Sequence, residues 1–345
     1  MKKFQESKRR IYIELTNRCN LTCSFCPYPE IKNHRPDMEL SLAKKIVNDI
    51  KKDVKYRIIY FHNLGEPLLY KNLEEILNYC DSRNMRYGIT TNGLLLGENV
   101  GILKNKKIDQ LNISYQATSQ KLHDERSTTI PVADYRRLII NSIKTLQSSG
   151  FGGAIKIKLL TTDNNSRFKN KKFENIKNSA ELTAEIDKFY FDLTGRKLGD
   201  EQRKKIADLD IGKHHKINID RNVFIETFPF LTWGNYKQRV WKANFGRCNA
   251  IKEQLVILSN GDVIPCCYDI DSDMLMGNVK KQKLGEILEK YISGKLQSEL
   301  SSKIIHQKRC RNCLGSIELK DYLNNQWMAI LDRNNNNENE SVIYL

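Results

Sequence analysis

Apolar residues along this chain recur either at every second position or along one helical face, and the switches between the two patterns mark its elements. Ile11, Ile13 and Leu15 alternate with Tyr12 and Glu14, which predicts a strand. Pro27, Pro29 and Pro36 keep the next stretch from turning helical, because each lacks an amide donor and fixes its own backbone. Ser41 then reads as an N-cap, with Leu42, Ile46, Val47 and Ile50 on one helical face. Residues 57–61 form the next run of strand length. A turn at 63–67 follows, then a helix carrying Leu73, Ile76, Leu77 and Cys80, the last read as a core residue. Strands are also predicted over 86–91, 110–114 and 154–160, with a helix on Leu138, Ile139, Ile143 and Leu146 before the last of them. Repeats of strand and helix imply a parallel sheet with helices outside it, so the fold class is α/β.

Beyond the fifth of these strands the pattern weakens. Residues 163–178 are polar and basic, a surface loop or short helix, and 180–209 read as helical with breaks near Gly195 and Gly199. The whole of 161–213 is longer than a crossover needs and reads as an insertion, either a cap or a solvated excursion. Residues 215–220 are expected as the sixth and last strand. Asn260-Gly261 is a hairpin turn signal, which makes 255–258 and 263–264 a small hairpin. Residues 317–331 read as a terminal helix with Trp327 and Met328, and the Asn-rich 334–341 as a disordered tail. The expected domains are 1–230, 231–318 and a helix with tail at 319–345.

Charge and composition change this picture only in part. The net charge of +16 invites a nucleic-acid reading, yet Lys and Arg are scattered and no aromatic RNA-binding element is present. No clear nucleic-acid partner follows; docking of an acidic electron donor is the milder implication. No run approaches the roughly 20 apolar residues that a spanning helix needs, so no membrane partner is expected. The basic N-terminus has no apolar core behind it and is not a signal peptide. Nine cysteines without an export signal argue for metal ligation in a reducing cytoplasm rather than for disulfides.

Cys19, Cys23 and Cys26 stand at C-x3-C-x2-C directly after the first strand, with Phe25 before the last. Three soft thiolates on one tight loop can hold three irons of a [4Fe-4S] cluster and leave the fourth open to a further ligand. A structural zinc site is the alternative, but such sites usually pair two C-x2-C knuckles. The motif resembles the signature of the radical S-adenosylmethionine (SAM) superfamily. The resemblance implies a partial (β/α)6 barrel, a cluster whose open iron chelates SAM, and cleavage of SAM to a 5'-deoxyadenosyl radical. It also puts Phe25 near the adenine and makes a flavodoxin or ferredoxin the expected electron donor. Gly65-Glu66-Pro67 resembles the family's Gly-Gly-Glu element, which binds the SAM amino group, although Leu64 replaces its first glycine. Thr91, Asn92 and Gly93 resemble the family's Thr-Asn-Gly turn, and Ser114 falls where the family often contacts the SAM ribose. All these positions end predicted strands, where β/α barrels collect their chemistry. Thr91 and Asn92 also suit ordinary strand-end capping, and His62 could face the barrel mouth.

The remaining cysteines form a second set. Cys248, Cys266 and the pair Cys310 and Cys313 supply four thiolates, enough to saturate a second cluster or to build a zinc ribbon. Cys248-x12-Gly261-x4-Cys266 resembles the start of the SPASM module and its shortened twitch form, which implies one auxiliary [4Fe-4S] cluster. Spacing does not separate Cys266 from Cys267 as ligand, whereas the family pattern points to Cys266. Cys267 is then a buried small residue or a hydrogen-atom donor to a substrate radical.

These resemblances imply a radical SAM enzyme, an oxidoreductase or epimerase acting on a small polar molecule. The single auxiliary cluster and wide final spacing resemble carbohydrate and aminocyclitol enzymes. Fewer than ten residues precede the first strand, which leaves no room for the peptide-recognition domain of many peptide modifiers. Modification of a peptide or protein is the second reading, and a non-catalytic iron–sulfur sensor or RNA-binding protein the third.

Overall fold

The computed structural model of the chain describes residues 8–31, 34–161, 175–229, 241–246, 248, 253–292, 304–316, 318–331 and 342–344. The chain divides into two compact units. Met1–Asn20, Phe25–Tyr87 and Thr232–Asn337 make the first; Leu21–Ser24, Gly88–Leu231 and Glu338–Leu345 make the second.

In the first unit, β1 (Lys8–Ile13) lies parallel between β2 (Tyr56–Phe61) and β8 (Gln254–Ile257). Ile11 and Ile13 are wholly buried, as their alternation predicts. The helix α1 (Leu40–Asp53) follows β1 and buries Leu42, Ala43, Ile46, Val47 and Ile50. Its N-cap is Glu39 without a side-chain bond, so Ser41 is not the cap expected but sits in the first turn. The hairpin of β8 and β9 (Asp262–Ile264) forms around Gly261, whose φ of +90° suits glycine. A short β10 (Gly277–Asn278) extends it. The hairpin is thus not a free-standing module, because β8 continues the sheet from β1.

One buried carboxylate ties these pieces together. Glu14, with no exposed surface, accepts two bonds from the Arg35 guanidinium at 2.8 and 3.1 Å. It also accepts from the Ser259 hydroxyl at 3.2 Å and the Ser259 amide at 3.3 Å. The third Arg35 nitrogen donates to the Ile270 carbonyl at 3.1 Å. The strand end, the proline-rich loop and the hairpin region therefore meet at one charge pair.

In the second unit, β3 (Tyr87–Thr91), β4 (Gln110–Gln116), β5 (Ala154–Thr161) and β7 (Val223–Pro229) run parallel in that order. The expected sixth strand, β6 (His215–Asp220), exists but is antiparallel to β7. The parallel neighbour of β5 is β7, which the sequence pattern did not reveal. The tight turn at Arg221 and Asn222 reverses the chain, so one β-rich stretch yields both strands. Most of the polar stretch expected over 163–178 lies outside the described residues. Two helices, Ser179–Thr194 and Asp200–Ala207, occupy the region before β6, and Gly195 ends the first with φ +72°. Residues 334–341 of the expected tail also lie outside the described residues, but Val342–Tyr344 is a strand beside β6, not disordered.

The two faces of the sheet in this second unit differ sharply. A Cβ on Gly93 would lie 2.6 Å from Ile139 Cδ1 and 3.3 Å from Ile113 Cγ2, so α2 (Val132–Ser148) covers the face of Ile113. Leu111, Ile155 and Ile157, in register on the same face, are likewise wholly buried. The alternate positions Thr90, Asn112 and Lys156 are paired across β3, β4 and β5 on the opposite face. Asn112 Nδ2 donates to Thr90 Oγ1 at 3.2 Å, and Lys156 pairs with the buried Glu226 of β7 at 2.7 Å.

Removing one member of a buried ion pair leaves the other charge uncompensated, which typically costs about 3–5 kcal/mol. Arg35→Met is expected to destabilise the fold by that order in urea unfolding. Adding Glu14→Gln should recover part of the loss, because the orphaned charge is gone; an additive loss would contradict the pairing.

Candidate metal centre

The loop that carries the first cysteines is built from short local bonds. In the first unit, the Cys19 amide donates to Tyr28 Oη at 3.1 Å. Cys26 and Tyr28 pack against Ile31, Leu64 and Ile270. This explains Leu64: it is a buried apolar neighbour of Cys26, so its side chain serves packing under the loop. Phe25 is buried as well. Gly65 has φ +90°, and a Cβ there would fall 2.4 Å from the Thr16 carbonyl oxygen and 2.9 Å from that of Arg18. The Glu66 amide donates to the Arg18 carbonyl at 2.8 Å, so the Gly65-Glu66 turn is zipped to the residues just before Cys19. Glu66 is buried and its Oε1 accepts from the Leu68 amide at 3.0 Å, which fixes the carboxylate. Pro67 opens the 3-10 turn Pro67–Leu69. Arg18 holds the Asp37 carboxyl below the usual carboxylate range, against the opposing effect of partial burial.

In the second unit, Cys23 belongs with Arg126. Its Sγ lies 3.9 Å from the Arg126 carbonyl oxygen. Burial pushes the Cys23 thiol up, and the Arg126 guanidinium acts in the opposite direction. Thr91 Oγ1 accepts from the Gly93 amide at 3.0 Å, and Asn92 Oδ1 from the Leu94 amide at 3.0 Å. Both side chains thus close the turn after β3, while the Asn92 carbonyl takes bonds from Arg126 and Tyr135. Ser114 is half-buried on β4, on the face of Asn112.

The second set of cysteines gathers within the first unit. After burial, the sulfurs of Cys248, Cys313 and Cys266 all push the Cys310 thiol up, to about 12. Cys266 accepts from the Tyr268 amide at 3.4 Å. Its neighbour Cys267 packs instead with Tyr60 against Tyr12, Val256, Leu258 and Ile264. Burial, then Cys267, pushes the Tyr12 phenol up. Cys266 acts on Cys310, and Cys267 packs on an apolar and aromatic cluster that also carries His62 on the Tyr12 and Tyr60 rings, while the two adjacent sulfurs also bond each other.

Four thiols are a soft donor set of the kind that holds iron. Among the described residues, no three His, Cys, Asp or Glu side chains are close enough to share a single metal ion. The sulfurs of Cys248, Cys266 and Cys313 each act on Cys310, and four thiolates match the ligand count of a [4Fe-4S] cluster.

Sequence reasoning missed the charged groups that hold these loops. Arg309, buried beside Cys310, pairs with Asp269 at 3.3 Å, Asp271 at 2.9 Å and Asp273 at 2.7 Å. It thereby joins the Cys266 loop to the helix Lys308–Cys313. The spacing Asp269-x-Asp271-x-Asp273 and the Arg next to a knuckle cysteine were the available signals. Arg126 had none, since it follows a short helix in a polar stretch.

Comparison with known proteins agrees with this arrangement. Residues 13–170 match the family model of the Radical SAM superfamily, and residues 248–314 that of SPASM, an iron-sulfur cluster-binding domain. A tungsten-containing aldehyde ferredoxin oxidoreductase cofactor-modifying protein of Pyrococcus furiosus is 35% identical over 25% of this chain and 24% of its own length. A GTP 3',8-cyclase of Corynebacterium glutamicum is 29% identical over 43% of this chain and 40% of its own. The matched stretches thus span less than half of these curated relatives. Among solved structures, Streptococcus suis SuiB bound to its precursor peptide SuiA has a TM-score of 0.57 at 18% identity, covering 90% of this chain and 70% of that one. At that identity the likeness is one of fold. Among the described residues no helix is long and apolar enough to cross a membrane.

Arg309→Met strips the cation from a buried carboxylate and loosens the two cysteine loops. It is expected to lower iron retained per chain by about half, since loss of an outer-shell partner typically costs about 10–100-fold in metal affinity. Arg309→Lys should retain more iron than Arg309→Met after anaerobic reconstitution and desalting.

Proposed function

The chain belongs to the radical SAM superfamily and carries a SPASM domain, and from that premise we propose that it abstracts hydrogen from a small polar substrate, sugar-like or cyclitol-like, to oxidise or epimerise it. Cys19, Cys23 and Cys26 would ligate the SAM-binding [4Fe-4S] cluster, and Cys248, Cys266, Cys310 and Cys313 one auxiliary [4Fe-4S] cluster. When bound, these groups supply electrons and a 5'-deoxyadenosyl radical. The rest falls to the chain. Gly65 keeps the turn close to the residues before Cys19 and the Leu68 amide fixes the Glu66 carboxylate, which would meet the SAM amino group. Phe25 would lie along the adenine, Pro67 would stiffen the turn, and Asn92, Thr91 and Ser114 would border the nucleoside.

The observation that carries the substrate class is the polar row Thr90, Asn112, Lys156 and Glu226. A sheet face turned away from its helices and lined by hydroxyl, amide, ammonium and carboxylate suits a ligand rich in hydroxyl or amino groups. Cys267 has a thiol hydrogen to return to a substrate radical, and that return makes the outcome an epimerisation; without it the outcome is oxidation. We assign residues 1–230 to the catalytic barrel, with 161–213 as its insertion, and 231–318 to the auxiliary module. A flavodoxin or ferredoxin would deliver electrons to the basic surface, in a reducing cytoplasm.

Anaerobic reconstitution with SAM and dithionite tests the reading. The protein is expected to release 5'-deoxyadenosine and to hold about eight irons per chain, about four after Cys19, Cys23 and Cys26 are all replaced by Ala. No 5'-deoxyadenosine would favour an iron–sulfur sensor or an RNA-binding role. Turnover of a peptide, with none of sugars or cyclitols, would favour the peptide-modifying alternative. Gly65→Ala, forced into left-handed backbone against two carbonyls, is expected to weaken SAM binding about tenfold or more in equilibrium dialysis.

A further inference from the structure

Arg126 is the largest of the fully buried side chains and carries a full charge, at 1% exposure. It follows the short helix Gln120–Asp124 in the second unit. Its Nη1 donates to the Tyr115 carbonyl at 3.1 Å and its Nη2 to the Asn92 carbonyl at 2.9 Å. Its guanidinium carbon stands 4.8 Å from the centre of the Tyr135 ring. These partners are neutral. Among the described residues no carboxylate pairs with it, and its Nε is buried with no hydrogen-bond partner. An isolated buried charge is costly unless a counter-charge stands near it.

The anionic candidate beside it is Cys23. The Cys23 Sγ is 3.9 Å from the Arg126 carbonyl oxygen, and the chain on both sides is strapped in register. The Ser24 amide donates to the Glu125 carbonyl at 2.8 Å, the Ser24 hydroxyl bonds the Glu125 carboxylate, and the Ser127 hydroxyl donates to the Thr22 carbonyl at 3.3 Å. The segment that carries the cation is thereby held beside one sulfur of the cysteine loop, and its guanidinium anchors the turn at Asn92. A neutral residue could fill this volume, but it could not balance a thiolate.

We propose that Arg126 is a positioning residue for the first cysteine set, a fixed cation set against the Cys23 sulfur that raises the reduction potential of the cluster held there. The inference rests on the assignment of Cys19, Cys23 and Cys26 as ligands. Reduction adds negative charge to a cluster, so a nearby buried cation favours the reduced state, and potentials of such clusters follow net charge and hydrogen bonding to sulfur. Arg126 does not touch the reacting atoms; it acts through the ligand.

The test is a redox titration of the reconstituted full-length protein, followed by electron paramagnetic resonance of the SAM-responsive signal, with iron counted in each sample. Arg126→Met is expected to keep the iron of the wild type while shifting the one-electron equilibrium at least tenfold toward the oxidised state, about 59 mV. Arg126→Lys, which keeps the charge, should recover most of that shift. An unchanged potential in iron-replete Arg126→Met overturns the proposal. If Arg126→Met fails to fold or load, Arg126→Lys decides: loading with a near wild-type potential supports the role of charge, and failure to load overturns it. Absence of any SAM-responsive signal in the wild type would instead remove the ligand assignment on which the inference rests.

Discussion

The Glu14–Arg35 pair is the constraint on which the first unit depends. A carboxylate with no exposed surface sits where β1 ends, one step before the loop that carries the cysteines. Its partner comes from the far end of that loop, and further bonds come from Asn17, Asn63 and Ser259 beside the hairpin turn. Burying two charges is unfavourable unless their polar atoms find partners. Here both carboxylate oxygens and all three guanidinium nitrogens do. The strict geometry of a bidentate pair therefore fixes how the loop leaves the strand. An apolar pair of similar volume could fill the space, but it would not specify which way the loop turns.

Cysteines and the charges around them divide the work. Most of the sulfurs come from loops, which by themselves have little reason to hold one shape, and Cys310 and Cys313 come from a short helix. Near each set stands a buried arginine: Arg126, whose carbonyl meets Cys23, and Arg309, which precedes Cys310 in the chain. The two arginines are satisfied differently. Arg309 meets three carboxylates and acts as a clamp between two segments. Arg126 meets carbonyls and a ring, so its charge is left to act on the sulfur.

Much of this was legible in the sequence, for identifiable reasons. β5 alternates strictly, so the alternation alone assigns its faces. The turn at Asn260 and Gly261 announced its hairpin, because glycine supplies the positive φ that the turn requires. The sixth strand went wrong because local pattern cannot tell parallel from antiparallel pairing: β6 and β7 both look like strands, and only their partners differ. The start of α1 was misplaced because Glu39, which makes no side-chain bond there, precedes Ser41. Glu14, Arg126 and Arg309 escaped notice because a single charge in a polar stretch carries no period, and its burial depends on contacts far along the chain.

The bonds that shape the cysteine loop bear on how it meets its metal. Tyr28 holds the Cys19 amide in the first unit, and Glu125 and Ser127 hold residues 22–24 in the second, all without using a single sulfur. The backbone beside the cysteines is tethered by bonds of its own in each unit. Capture of iron then has less freedom to freeze out than in a chain that must fold around its metal, so more of the binding free energy appears as affinity. Each tethered segment is shaped before any occupant arrives.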